Sequence, residues 1–208
     1  MDTQCLLFVL LNKMNLQDRV TQHFTSSFQT QQETLANLAE LIGFAAQRLA
    51  HALLNDKKIL ACGNGGSANH AQLLVTALIN RYERDRPALP AIALGTSVTM
   101  LTAIANDTQF DDIFAKPLRA LGQSGDILVV YTIGGHSANT IKAVTNAHDK
   151  DIEVIALTGH DGGSISQILN ENDLELRIPS KTPSHILETH LMITHCLCDL
   201  IDYQIFGG

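Results

Sequence analysis

From about Leu16 to Leu54 apolar residues recur at helical intervals, at Val20, Phe24, Phe28, Leu35, Leu38, Leu41, Ile42, Ala45, Ala46 and Leu49. This period predicts two helices in a hairpin, or one long helix with a kink, and Gly43 within it is a weak point rather than a break. No strand precedes this apolar face, so it is expected to pack on another subunit. Five short apolar runs follow: Ile59 to Cys62, Ala91 to Leu94, Ile127 to Tyr131, Val154 to Leu157, and Leu174 to Ile178. Helical segments separate most of them. Alternating strands and helices, with central strands apolar on both faces, predict an α/β fold with a doubly wound five-stranded parallel sheet and right-handed crossovers. A last helix is expected from about Ser184 to Tyr203, followed by a tail ending at Ile205-Phe206-Gly207-Gly208.

The first run stops at Gly63-Asn64-Gly65-Gly66-Ser67, and a helical pattern begins at Ala68. A strand, a glycine turn and a helix start gather free backbone N–H groups and a positive dipole end at one point, which suits a phosphate. The spacing matches neither the dinucleotide fingerprint, since Asn69 stands where its last glycine falls, nor a P-loop. A tight turn capped by Ser67, with no ligand, is the alternative.

Ligands of open α/β sheets bind beyond the carboxyl ends of the strands. That rule singles out Gly63–Ser67, Gly95–Ser97, Thr132–Ser137 and Thr158–Gly163, loops rich in glycine and hydroxyl residues and free of Lys and Arg. Backbone amides and neutral donors there suit one phosphate and several sugar hydroxyls. Ordinary turn and capping preferences produce similar loops.

Composition narrows the field. The 208 residues are 45% hydrophobic and carry a net charge of -7, so the chain is long enough for one substantial core but lacks the basic surface that direct nucleic-acid binding requires. Tryptophan is absent, which disfavours a base-stacking surface. The four cysteines, Cys5, Cys62, Cys196 and Cys198, form no C-x-x-C pair and fit a reducing cytoplasm. The apolar run from Cys5 to Leu11 is too short to span a bilayer and follows Asp2 without any Lys or Arg, so Met14 is read as the natural start; a segment docking on a partner subunit is the alternative. No membrane association is expected.

Several segments together resemble the SIS (sugar isomerase) domain family: the glycine loop, Asn80-Arg81-Tyr82 before Arg86-Pro87, Asn106-Asp107, Gly125-Asp126, His136-Ser137-Ala138-Asn139 and Leu157-Thr158-Gly159-His160-Asp161-Gly162-Gly163. The likeness runs from about Met14 to the end, giving residues 1–13 as an extension and 14–208 as a single SIS domain. It implies a flavodoxin-like sheet, a cytoplasmic homotetramer, and a sugar-phosphate pocket at Asn64, Gly65, Gly66, Ser67, Thr132 and Ser137. Two branches are similar, the phosphoheptose isomerases and the DnaA initiator-associating proteins.

In the isomerase branch zinc is held by a His and a Glu on the helix after the glycine loop, and by a Gln and a His on the last helix. The matching positions here are Leu73, Ala77, Leu187 and His195. A single imidazole cannot hold zinc or complete a proton relay, and Thr76 cannot serve as a base. The phosphate loop Thr132-Ile133-Gly134-Gly135-His136-Ser137 has also exchanged one hydroxyl for Gly134. No metal or catalytic residue is therefore expected, with His195 read as a core histidine, catalytic only if the chain is an isomerase. Glu188 and His190 are the residues near it that would rebuild a site, and His70 is expected on a solvated helix face.

The other branch matches at Leu101 to Asp107 and at Cys196-Leu197-Cys198-Asp199-Leu200-Ile201-Asp202. An apolar–Phe pair after its last helix touches the replication initiator, and the equivalent here is Ile205-Phe206; the same pair would also serve to staple the tail to the helix. The resemblance thus implies a non-catalytic tetramer that gathers a DnaA-type initiator at the origin. The alternatives are a sedoheptulose 7-phosphate isomerase with zinc, and a sugar-phosphate sensor.

Overall fold

The computed structural model describes residues 15–207, and the apolar run at Cys5 to Leu11 lies outside them. The first element is neither a hairpin nor two helices. Helix α1 runs without interruption over Leu16–Leu54, 39 residues or roughly 60 Å. Asn15 caps it, its Oδ1 accepting from the Gln17 amide at 3.1 Å. The hydroxyls of Thr21, Thr25, Thr30 and Thr34 each donate to the carbonyl four residues back, so Thr30 and Thr34 lie buried with their polar atoms satisfied. Gly43 costs the helix about 1 kcal/mol relative to alanine, and buried Ala45, Ala46 and Leu49 hold the helix through it.

The remaining elements are β1 Ile59–Gly63, α2 Gly66–Ile79, β2 Ala91–Ala93, α3 Val98–Asp107, a 3-10 turn Phe110–Asp112, α4 Ala115–Leu121, β3 Ile127–Tyr131, α5 Ala138–His148, β4 Glu153–Thr158, α6 Gly163–Ile168, β5 Leu174–Arg177 and α7 Pro183–Phe206. All strand pairs are parallel, in the order β2-β1-β3-β4-β5. Strands β1 and β3 are buried along their whole length, which is why they read as unbroken apolar runs rather than alternating ones. At the far edge β5 carries Glu175 and Arg177, paired with each other, a charged border that discourages further strand addition.

Side chains alternate between two cores. Ile59, Ala61, Val129 and Tyr131 face the layer of α1, α2 and α7, whereas Leu60, Cys62, Leu128 and Val130 face α4, α5 and α6. On the first side, Arg86 ties α2 to α7. Its guanidinium donates to the carbonyls of Ala77 and Leu78 at 2.6 Å each, near the C-terminus of α2, and to Asp202 Oδ1 at 2.9 Å. Both side chains of that ion pair are buried. No helix among the described residues is long and apolar enough to cross a membrane.

The strand order reverses direction of growth between β1 and β3. At such a switch point the loops after the two strands diverge to opposite faces and leave a crevice between them. The loops in question are Gly63–Ser67 and Thr132–Ser137.

Candidate functional site

The chain turns from β1 into α2 so tightly that a Cβ on Gly63 would meet the backbone and Cβ of Ser67 at 2.8 Å. Gly65, at φ +56°, is the N-cap of α2, and the amides of Ser67 and Ala68 close the turn on Asn64 O and Gly65 O. Gly65 and Gly66 are exposed, while Ser67 is buried. Across the crevice, Thr132 is buried with its hydroxyl accepting from the Gly135 amide at 3.0 Å. Ser137 is the exposed N-cap of α5, and its hydroxyl makes no capping bond, so it is free for a ligand.

A cavity of about 200 Å³ lies between the two loops, and Asn64, Ser67, Tyr131, Thr132, His136 and Ser137 contribute to its lining. The N-termini of α2 and α5 both end there, so backbone dipoles supply positive potential although the lining contains no Lys or Arg. Asn64 and Asn139 bridge the crevice with a reciprocal amide pair, at 2.8 and 2.9 Å. Four of the six residues expected at a sugar phosphate, Asn64, Ser67, Thr132 and Ser137, therefore meet in one cavity, with Gly65 and Gly66 at the adjoining helix start.

The other two glycine-rich loops serve structure. Gly135 and Gly163, both at positive φ, let the loops after β3 and β4 lie backbone to backbone, and the Ile165 amide donates to Gly135 O at 3.1 Å. In the loop after β2, Ser97 caps α3 by accepting from the Met100 amide, and Gly95 makes room for the Phe114 ring.

Behind the cavity sits a cluster that the sequence pattern did not suggest. His70, one turn beyond Ser67 on α2, is buried rather than solvated, because α2 is covered by the sheet on one side and α7 on another. Its ring centroid lies 5.8 Å from that of Tyr131 and 6.2 Å from that of His190 on α7. The Tyr131 hydroxyl bonds Thr194 Oγ1 at 3.0 Å, and His190 Nε2 donates to Thr158 O at 3.1 Å. Because a carbonyl only accepts, His190 Nδ1 is a bare acceptor, and neither it nor His70 Nδ1 has a partner. The signal was present in the spacing: Ser67 and His70 share a helix face.

Burial pushes the His190 imidazole down from 6.5 to about 4, lowers that of His70, and raises the Tyr131 phenol. As pH falls below 6.5 the unfolded chain takes up a proton at His190 that the folded chain refuses until about 4. Stability from this residue is therefore complete above 6.5, declines by about 3 kcal/mol towards pH 4, and is flat below. Urea unfolding of wild type and His190→Gln across pH 7 to 4 checks this, the variant lacking that part of the decline.

The positions that hold zinc in the isomerase branch do not fit the metal here. Leu73, Ala77 and Leu187 offer no ligand atom, and the Leu187 side chain instead packs over Gly66, where an added Cβ would lie 3.0 Å from its Cδ1. His195 is exposed on α7, not a core histidine, with its ring 5.9 Å from that of Tyr82. Glu188 turns to α1, where Ser27 Oγ and His23 Nε2 bond it. Of the two residues that stood to rebuild a site, only His190 comes near the cavity, through Tyr131.

Ile205 and Phe206 belong to α7 rather than to a tail beyond it. Both are half-buried against the helical core, and the guanidinium carbons of Arg84 and Arg86 each lie 5.9 Å from the Phe206 ring centroid.

The sequence pattern of the SIS domain matches residues 22–159, more than half of the chain. The chain belongs to the SIS domain family. Among similar proteins, the phosphoheptose isomerase of Methylococcus capsulatus is 50% identical over 194 residues, covering 93% of this chain and 100% of the relative. That of Chromohalobacter salexigens is 47% identical over 195 residues, covering 94% and 99%. The solved phosphoheptose isomerase of Francisella tularensis superposes with a TM-score of 0.89 at 45% identity, covering 91% of this chain and 99% of that one.

These relatives overturn the expectation of a non-catalytic SIS scaffold for the DnaA initiator, because proteins this similar over their whole length carry the isomerase name. That expectation rested on losses at three side chains, on the segments Leu101 to Asp107 and Cys196 to Asp202, and on the pair Ile205-Phe206, which suited either a partner contact or a staple for the tail. Phe206 is held within its own helix beside two arginines, and the loops after β1 and β3 still enclose a cavity between them.

Proposed function

We propose that this chain is a phosphosugar isomerase of the phosphoheptose type, interconverting sedoheptulose 7-phosphate and its aldose partner in the crevice between β1 and β3. The observation that carries the reading is the meeting of two helix N-termini and the side chains of Asn64, Ser67, Thr132 and Ser137 around one cavity. A phosphate bound there replaces its water shell with backbone amides and hydroxyls and needs no lysine. The names of the full-length relatives supply the substrate class. We assign the chain to the cytoplasm as a homotetramer, a reading supported by the apolar stripe that α1 leaves exposed at Leu16, Val20, Phe24, Phe28 and Leu35.

The direct test is turnover of sedoheptulose 7-phosphate, followed by appearance of the aldose. Binding is tested separately by thermal shift. Ligand at a hundred times its Kd stabilises the folded state by about 2.7 kcal/mol. Ser137→Asp is expected to abolish that shift while leaving the ligand-free Tm unchanged or slightly raised, since a carboxylate at the α5 N-terminus caps the helix but repels phosphate. A shift of wild-type size in the variant would move the phosphate away from this loop.

A further inference from the structure

Isomerisation between aldose and ketose moves a proton between adjacent carbons and needs a group that removes and returns it. Neither the zinc nor the carboxylate used elsewhere in the family has residues to supply it here. We propose that His70 is the proton-transfer group of this chain and that the step runs without a metal, an inference that rests on the isomerase reading above.

Three observations carry it. Ser67, one turn earlier on the same face of α2, and Tyr131, whose ring packs on His70, both line the cavity, so His70 stands directly behind its wall. His70 Nδ1 is buried without a partner, and Nε2 has no hydrogen-bond partner among the described residues either. His190, held by Thr158 O, keeps a bare Nδ1, and its ring centroid lies 6.2 Å from that of His70, a separation that one bridging water can span. A water donating to His190 Nδ1 and accepting from His70 Nδ1 would favour the His70 tautomer with its proton on Nδ1, which leaves the Nε2 lone pair free to take a proton. His190 is thus a positioning residue. Burial lowers the basicity of both imidazoles, so His70 is neutral and able to accept a proton at pH 7.

The step balances without a co-reactant. His70 Nε2 takes a proton from C1 of the ketose, the C–H electron pair becomes the double bond of an enediolate, and the carbonyl π pair moves to O2. The imidazolium returns the same proton to C2 while the O1 hydroxyl proton leaves to solvent and its oxygen becomes the aldehyde carbonyl; O2 takes a proton from solvent. The net change is an internal redistribution with nothing oxidised or reduced overall.

The test uses the full-length protein and sedoheptulose 7-phosphate. Wild-type turnover is expected to survive exhaustive treatment with a zinc chelator, and His70→Asn, which is smaller but keeps a donor near the Nδ1 position and lacks the basic ring nitrogen, is expected to lose at least 100-fold in kcat with the ligand-induced Tm shift intact. His190→Gln is expected to lower kcat with little change in KM, a split that a purely structural role would not give. Chelator-sensitive turnover, or a His70→Asn enzyme of near-wild-type rate, overturns the proposal and leaves the isomerase reading standing. Absence of wild-type turnover overturns the isomerase reading and this inference with it.

Discussion

Replacing Asp202 by alanine is expected to destabilise the folded chain by about 3–5 kcal/mol, the range for breaking a buried ion pair from one side. Arg86 and Asp202 side chains are only 2% and 7% exposed. The carbonyls of Ala77 and Leu78 satisfy guanidinium protons but do not cancel its charge, so the variant leaves an uncompensated cation between α2 and α7. The free energy of urea unfolding measures the loss. Replacing both partners together, Arg86→Met with Asp202→Leu, is expected to recover much of it, since the main penalty is the orphaned charge rather than the lost attraction. A single variant within 1 kcal/mol of wild type would mean that water reaches the pair.

The second large effect is expected at Gly135. Its φ of +70° disfavours any side chain, by about 1–2 kcal/mol, and a Cβ would fall inside the van der Waals shell of the Gly162 carbonyl oxygen. Backbone cannot move aside as a flexible side chain would, so overpacking adds about 1–3 kcal/mol. Gly135→Ala is expected to lose roughly 3 kcal/mol in all and to separate the loops after β3 and β4, which displaces Thr132 from its bond to the Gly135 amide. Denaturant unfolding reads the first consequence and loss of the phosphosugar-induced thermal shift reads the second. Gly134→Ala is the control: only His136 Cδ2 approaches within 4 Å of an added Cβ there, at 3.9 Å.

The parallel sheet was legible because strands buried on both faces leave short unbroken apolar runs, and the crevice because glycine and hydroxyl residues cluster where those runs end. Two things were not. Whether α1 is one helix or two depended on Gly43, whose effect is too small to decide against the packing of Ala45, Ala46 and Leu49 beyond it. The burial of His70 depended on α7, which arrives from more than a hundred residues away and covers the α2 face on which His70 stands with Ser67 and Leu74. The functional reading failed for a related reason: absence of the expected ligands at Leu73, Ala77 and Leu187 says which chemistry is lost, whereas the cluster of His70, Tyr131 and His190 is assembled from α2, β3 and α7, and sequence spacing marks only the α2 face that Ser67 and His70 share.

The reciprocal bond between Asn64 and Asn139 has a bearing on affinity. Each amide uses a donor and an acceptor on the other, so the loop after β1 and the start of α5 are joined in the ligand-free chain. On the proposed reading, a phosphosugar then meets donors whose relative positions are already set. It forgoes the ordering entropy, about 1–2 kcal/mol for each backbone residue fixed, that two independent loops would surrender on closing around it.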